Sequence, residues 1–428
     1  MFRKVLILIA TVLLFWACGV QADVINSNWV VTEGPWDNPG NWDPNIVPDN
    51  NGNTFVITID STTIGPNVVE IGLQQRRTVN QLDCYGKVEL QKWTSNWIWL
   101  TLVDANGLTN YGNLCIDDLD IRGNVTNTAG AFLELNGVEI NDDLYNFAGA
   151  TIEVEIENDV EGNIQNEGTL IIGHASDILV DQTLHNTGQI QIYGGACGVD
   201  EILDNNSTGT IQGFGSVHGG QLLRNKGEIY AYGGSLAVGI DGVLINTGTL
   251  SNYPVSSLHI KPAVDVNNNG TIQVNAGGGV AFDCNIVNEP NGVIELLGGT
   301  LAATTITQTA DANFAGFGGI SGDIIIDSNG IIQLTGPTNI VGDVQIGVGA
   351  TLEISDGTTL VTGHTTNNGT IHMKGGRIIP QGGLTNNGQI IWEPGTYSNA
   401  ADFNLDGQVN LKDFANFADT WLWQSGWY

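Results

Sequence analysis

The sequence predicts an all-β chain: a right-handed parallel β-helix, a solenoid of about 20 residues per coil, with a short calcium-binding loop and helix at its C terminus. Three observations predict it. A short phrase built on Asn, Gly and a branched apolar residue returns at near-constant spacing through most of the chain. Around each return, apolar and polar residues alternate with period 2, which puts one face in and one face out. Between residues 100 and 390 no stretch carries a helical period.

The first element is a secretory signal, residues 1–22. Arg3 and Lys4 precede an apolar run from Val5 to Trp16, and Val20-Gln21-Ala22 offers small residues where a signal peptidase reads. The expected cut follows Ala22. A lipoprotein alternative would use Cys18, but Phe15-Trp16-Ala17 puts bulky residues where such signals carry Leu and a small residue. The run is too short to cross a bilayer, and no second candidate of about 18 apolar residues follows, so no membrane span is expected. Removing Arg3 and Lys4 takes the formal charge from -32 to -34. Such a field repels nucleic acid and anionic membranes and favours metal cations. Disorder does not fit, because 41% of residues are hydrophobic and 14% charged, which leaves apolar surface to bury. The mature cysteines Cys84, Cys115, Cys197 and Cys284 show no metal-ligand spacing. They are expected as free thiols, with Cys84–Cys115 the one pairing to check.

Residues 23–99 are expected to form a β-rich N-terminal cap. Trp29, Trp36, Trp42, Trp93, Trp97 and Trp99 fall there, Trp392, Trp421, Trp423 and Trp427 fall near the other end, and none lies between 100 and 391. A narrow solenoid core takes branched aliphatics, and its exposed ends need large covering side chains. The alternative for these tryptophans is a carbohydrate-stacking platform.

Residues 100–396 carry the coils. The phrase stands as Asn166-Glu167-Gly168-Thr169-Leu170, Asn186-Thr187-Gly188-Gln189-Ile190, Asn225-Lys226-Gly227-Glu228-Ile229, Asn269-Gly270-Thr271-Ile272 and Asn368-Gly369-Thr370-Ile371. With the branched residue as anchor, the series runs Leu114, Leu133, Ile152, Leu170, Ile190, Ile211, Ile229, Leu250, Ile272, Ile294. It resumes at Ile332, Leu352, Ile371 and Ile390, with Phe314 near the middle of the double step, which makes about 15 coils. The absence of a helical period excludes leucine-rich, ankyrin and tetratricopeptide repeats, and units this short exclude propeller blades. The Asn-Gly step is expected to supply a turn that tolerates positive φ. The recurring Asn is expected to stack on its equivalents, each amide bonding to the next coil. The segment from Trp36 to Trp42, with Val47-Pro48-Asp49 and Phe55-Val56-Ile57-Thr58-Ile59, resembles the opening of secreted bacterial β-helix proteins of the autotransporter-passenger and adhesin type. The resemblance extends over most of residues 23–396.

Residues 397–428 hold the most specific motif. From Asp402 to Asp413 oxygen-bearing side chains fall at loop positions 1, 3, 5, 9 and 12, as Asp402, Asn404, Asp406, Asn410 and Asp413. Gly407 stands where the loop turns sharply, and Gln408 offers its backbone carbonyl. A hard cation such as Ca2+ takes six to eight oxygens, and this spacing wraps them round one point. Phe414, Phe417, Ala418 and Trp421 then recur at helical spacing, whereas Pro394-Gly395 leaves no room for a helix before the loop. Loop plus exiting helix, with Asp at position 12, resembles a type I dockerin repeat. The resemblance implies a cohesin-like or cell-surface partner, commonly in polysaccharide-degrading assemblies.

Enzymes occur among parallel β-helices, so catalysis has to be weighed. The acidic pairs Asp117-Asp118 with Asp120, Asp142-Asp143 and Asp200-Glu201 are candidates. Arginine is scarce, with Arg122 and Arg224 the only two between 100 and 370, and His174, His185, His218, His259, His364 and His372 are scattered. No catalytic motif is visible, and the acidic pairs read as solvated charge. The expectation is a secreted, non-catalytic structural or adhesion protein with a calcium-binding tail. The alternative is a polysaccharide-degrading or glycan-binding β-helix. An outer-face groove holding two or more carboxylates and a basic residue is what would favour that alternative.

Overall fold

The computed structural model describes residues 23–50 and 53–393. It is a parallel β-solenoid of about 16 turns, 63% strand and 2% helical, with about 20 residues per turn. The described residues divide into two compact units, one running to residue 229 with 236–242, the other comprising residues 230–235 and those from 243 on.

One coil of the first unit shows the local logic. Val125–Asn127, Phe132–Asn136 and Glu139–Ile140 are three short strands separated by tight turns. Each alternates buried and part-exposed residues, so one side chain in two enters the core. The corresponding strands of successive coils pair in parallel, which gives three stacks. We name them the ladder sheet (Val125–Asn127 and its equivalents), the anchor sheet (Phe132–Asn136 and its equivalents) and the third sheet (Glu139–Ile140 and its equivalents).

The anchor residues stack in register. In the first unit Leu114 pairs with Leu133, Leu133 with Ile152, Ile152 with Leu170, Leu170 with Ile190 and Ile190 with Ile211. In the second unit Leu250 pairs with Ile272, Ile272 with Ile294, Ile332 with Leu352, Leu352 with Ile371 and Ile371 with Ile390. Phe314 takes the missing place, opposite Ile294 and fully buried. The core is therefore a set of aliphatic columns spaced by the strand separation of about 4.8 Å.

The stacking reaches back before residue 100. Ile57 pairs with Leu82 and Leu82 with Leu108, while Val69–Leu73 pairs with Lys87–Lys92. These earlier coils lack the Asn-Gly phrase, which is why the phrase alone does not show them. Two helical turns, Pro39–Asn41 and Ser61–Ile64, are the ones present among the described residues.

The asparagines form the expected ladder. In the first unit the Nδ2 of Asn110 donates to Oδ1 of Asn127 at 2.8 Å, and the chain continues through Asn146, Asn166, Asn186, Asn205 and Asn225 at 2.8–3.0 Å. From Asn110 to Asn205 each side-chain amide also donates to a backbone carbonyl of an anchor strand, as Asn166 does to Gln189 at 3.0 Å. In the second unit Asn246, Asn268, Asn288 and Gln308 repeat the pattern. Every amide from Asn110 to Asn288 in this series is at most 1% exposed, so the bonds are made without competing water.

The glycines of the phrase need a correction. They do not adopt positive φ. A Cβ on Gly188 would lie 2.1 Å from the carbonyl oxygen of Gly168, and one on Gly227 would lie 2.1 Å from that of Gly209. Glycine is required there because the backbones of adjacent coils approach at the turn, not because the turn is left-handed.

Candidate functional site

The outer face of the anchor sheet in the first unit gathers chemistry that the sequence disperses. Glu70 pairs with Glu89, Glu89 with Cys115, Cys115 with Glu134 and Glu134 with Glu153. Beside this column runs a second, in which Gln91 pairs with Asp117, Asp117 with Asn136 and Asn136 with Glu155. Since the core takes the alternate side chains, these groups all face outward. A groove of about 480 Å³ lies over them, lined among others by Glu89, Asp117, Glu134, Cys115, Lys87 and Phe132.

Three of these carboxyls, and the thiol among them, hold their protons more tightly than usual. Partial burial pushes the Glu89 carboxyl up, with Glu70, Asp117 and Glu134 adding to it. Burial and then Asp118 push Asp117 up, against the pull of Lys92. Burial and then Glu155 and Glu134 do the same for Glu153. The Cys115 thiol is pushed up to about 12 by burial and by Glu134, Glu89 and Asp117 in turn. Asn136 donates to Glu134 at 3.2 Å, and its own Oδ1 is buried with no hydrogen-bond partner.

Of the other acidic candidates, Asp118, Asp120, Asp142, Asp143, Asp200 and Glu201, none lines this groove. Asp118 is bound to Lys92 at 2.6 Å. Asp120 lies on the third sheet, its carboxyl raised by burial and by Glu139. Asp143 accepts from the backbone and side chain of Asn163 at 2.8 and 3.0 Å and from the Tyr145 hydroxyl at 2.9 Å, a structural role. Several histidines face a carboxylate in the next coil: His218 with Asp241 at 3.2 Å, His259 with Asp283 at 2.6 Å and His372 with Glu393 at 3.1 Å. Sequence reasoning missed both these pairs and the Glu column. The signal that reveals them is the coil period applied to polar positions rather than to apolar anchors.

The tryptophans divide. Trp29, Trp36 and Trp42 pack edge to face with centroids 4.8–4.9 Å apart and are at most 2% exposed. Trp36 donates to the Pro48 carbonyl and Trp42 to that of Trp36, so this cluster belongs to the core and offers no glycan platform. Trp99 lies between the guanidinium groups of Arg76 and Arg122, 3.2 and 3.7 Å from its centroid. Trp97 is 74% exposed.

The thiols of Cys84, Cys115, Cys197 and Cys284 are free, Cys84 and Cys115 included. No helix among the described residues is long and apolar enough to cross a membrane. Among the described residues no group of three or more His, Cys, Asp or Glu is placed to hold a metal ion. The calcium loop, Asp402, Asn404, Asp406, Gln408, Asn410 and Asp413, lies outside the described residues, as does the signal segment. Comparison with protein-family models, curated proteins and solved structures returned no match.

Proposed function

We propose that this chain is a secreted, non-catalytic structural or adhesion protein, a β-solenoid that its calcium-binding tail attaches to a partner. The amide ladder carries this reading. Coil after coil, the buried polar positions are committed to joining one turn to the next, as a structural element requires. The tail supplies the attachment: its oxygen spacing suits Ca2+, and its dockerin-like pattern suits a cohesin-like or cell-surface protein.

The groove supports a second reading, a carbohydrate-active β-helix. Glu89, Asp117 and Glu134 stand on one face with Lys87 beside them in the lining, and carboxyls held above their usual range, as Glu89 and Asp117 are, are what a general acid requires. Two facts weigh against it. The same shifts follow from partial burial and then from stacking like charges on a sheet, and no histidine or arginine lines the groove. Incubating the mature chain with pectin, alginate and xylan separates the two readings. No release of reducing ends or unsaturated products is expected, and release that Glu134→Gln abolishes would replace the first reading with the second.

A further inference from the structure

Residues 93–99 lengthen one coil of the first unit into a loop that is pinned at both ends. At its start the Trp93 ring lies against Gly72, where a Cβ would collide with it. At its end Ile98 is 3% exposed, and its carbonyl accepts from the Asp120 backbone N–H at 3.4 Å. Between these anchors Trp97 stands 74% exposed. An indole this exposed adds little to the core and presents a flat, rigid face to solvent. A cleft of about 420 Å³ lies beside it, lined by Gln74, Gln75, Arg76, Asn96, Trp97 and Ile98.

The polar groups of the cleft are uncommitted. The side-chain amides of Gln74, Gln75 and Asn96 make no hydrogen bond to any described residue, unlike the amides of the ladder. Arg77 is held by Asp37 and Asp49. Arg76 beside it forms no ion pair among the described residues, in a chain with 45 acidic and 13 basic residues. Its guanidinium lies instead over the Trp99 ring, 3.2 Å from the centroid. Arg122 grips the same ring at 3.7 Å. Stacking occupies the flat face of the Arg76 guanidinium and leaves its N–H edge free, a fork that matches a carboxylate. Arg76 is thus held in place without its hydrogen bonds being used.

We propose that this cleft binds a uronate sugar, one ring of an acidic polysaccharide. The Trp97 indole stacks on the C–H face of the ring, Arg76 donates to the carboxylate, and Gln74, Gln75 and Asn96 exchange hydrogen bonds with the hydroxyls. The amides select a sugar over an acidic peptide, because an amide both donates and accepts, as a hydroxyl does. A run of carboxylates would need several cations, and Arg76 is the one in the lining. A second copy of the chain carries the same net charge of -32 and is repelled. The cleft shares no lining residue with the groove over Glu89. The proposal rests on the adhesion reading of the preceding section and names what is adhered to.

The test is calorimetric titration of the full mature chain with galacturonate oligomers, with their methyl-esterified form and with poly-L-glutamate. The acidic oligomer is expected to bind about ten-fold tighter than its ester, since a hydrogen bond to a charged group is lost in the ester. Raised salt should narrow that difference. Trp97→Ala is expected to weaken both oligomers alike by about ten-fold. Arg76→Gln is expected to weaken the acidic oligomer alone. Both side chains are exposed, so both variants should keep the parent's urea midpoint. If neither oligomer binds, the cleft proposal is overturned and attachment through the tail still stands. Binding that both variants leave unchanged puts the glycan elsewhere on the chain and overturns the cleft while adhesion stands. Poly-L-glutamate bound as tightly as the acidic oligomer assigns the cleft to an acidic peptide and likewise overturns the proposal.

Discussion

Two columns of identical design run through the same coils of the first unit, and they behave in opposite ways. Inside, Asn127, Asn146 and Asn166 stand one above the next, and outside, Glu134 stands above Glu153 with Glu89 two coils away. The spacing is the same, about 4.8 Å per coil. An amide carries donors and an acceptor, so each copy satisfies its neighbour and repetition stabilises. A carboxylate carries acceptors alone and a charge, so each copy opposes its neighbour, which adds to partial burial in raising the proton affinity of Glu89 and Glu153. Stacking in a solenoid amplifies whatever the side chain already is. This explains why the buried column is amide and why the acidic column lies outside, where water and salt screen it.

The largest test of this contrast makes the inner column like the outer one. Asn166→Asp keeps the size, removes the bonds to Asn186 and Gln189, and buries a charge at a site that is 0% exposed. A loss of about 3–5 kcal/mol is expected in urea unfolding. A loss below about 1 kcal/mol would show that the ladder contributes little.

A smaller effect comes from the reverse exchange. Glu134→Gln turns one rung of the outer column into an amide and is expected to stabilise the protein by about 0.2–1 kcal/mol at pH 7. The pH dependence has a definite sign. Glu89, Asp117 and Glu153 hold protons more tightly in the folded chain than in the unfolded one. Their contribution to stability is therefore full below the ordinary carboxylate range and lost as pH rises through their raised values. The advantage of Glu134→Gln should accordingly fade near pH 3, where its neighbours are protonated. An advantage of equal size at pH 3 and pH 7 would point to packing rather than charge.

The smallest effect uses Cys115 as a reporter inside the acidic column. In Glu134→Gln the thiol loses the largest of its three charged neighbours' effects, and its alkylation at pH 9 should quicken. Cys197, fully buried with its thiol pushed up to about 12 by burial alone, should stay inert in both proteins and serves as the control.

How much was legible in the sequence differs between the two columns. The asparagines announced themselves because each is tied to a nearby glycine and an apolar anchor, so phrase and column coincide. The glutamates did not. From Glu89 to Cys115 is 26 residues (115 − 89), a coil lengthened by the Trp93–Trp99 stretch, whereas Glu134 to Glu153 is 19 (153 − 134). A fixed period of 20 misaligns them, and in a strand a slip of one residue sends the side chain to the opposite face. The ladder also has a gap that no motif foretells. Ile326 and Ile346 stand at the ladder position between Gln308 and Asn367, both buried, so an apolar residue fills the column where the amide is absent.

The sequence by itself determined the class of fold, the register of the aliphatic anchors, the place of Phe314 and the amide ladder, because burial and coil period act on every unit alike. Tertiary structure alone decided which polar groups become neighbours on the outer face, that the phrase glycines serve close approach of coils, and that Trp29, Trp36 and Trp42 are core while Trp97 is surface. These depend on the length of each individual coil and on what lies above and below it, and a repeating pattern averages both away.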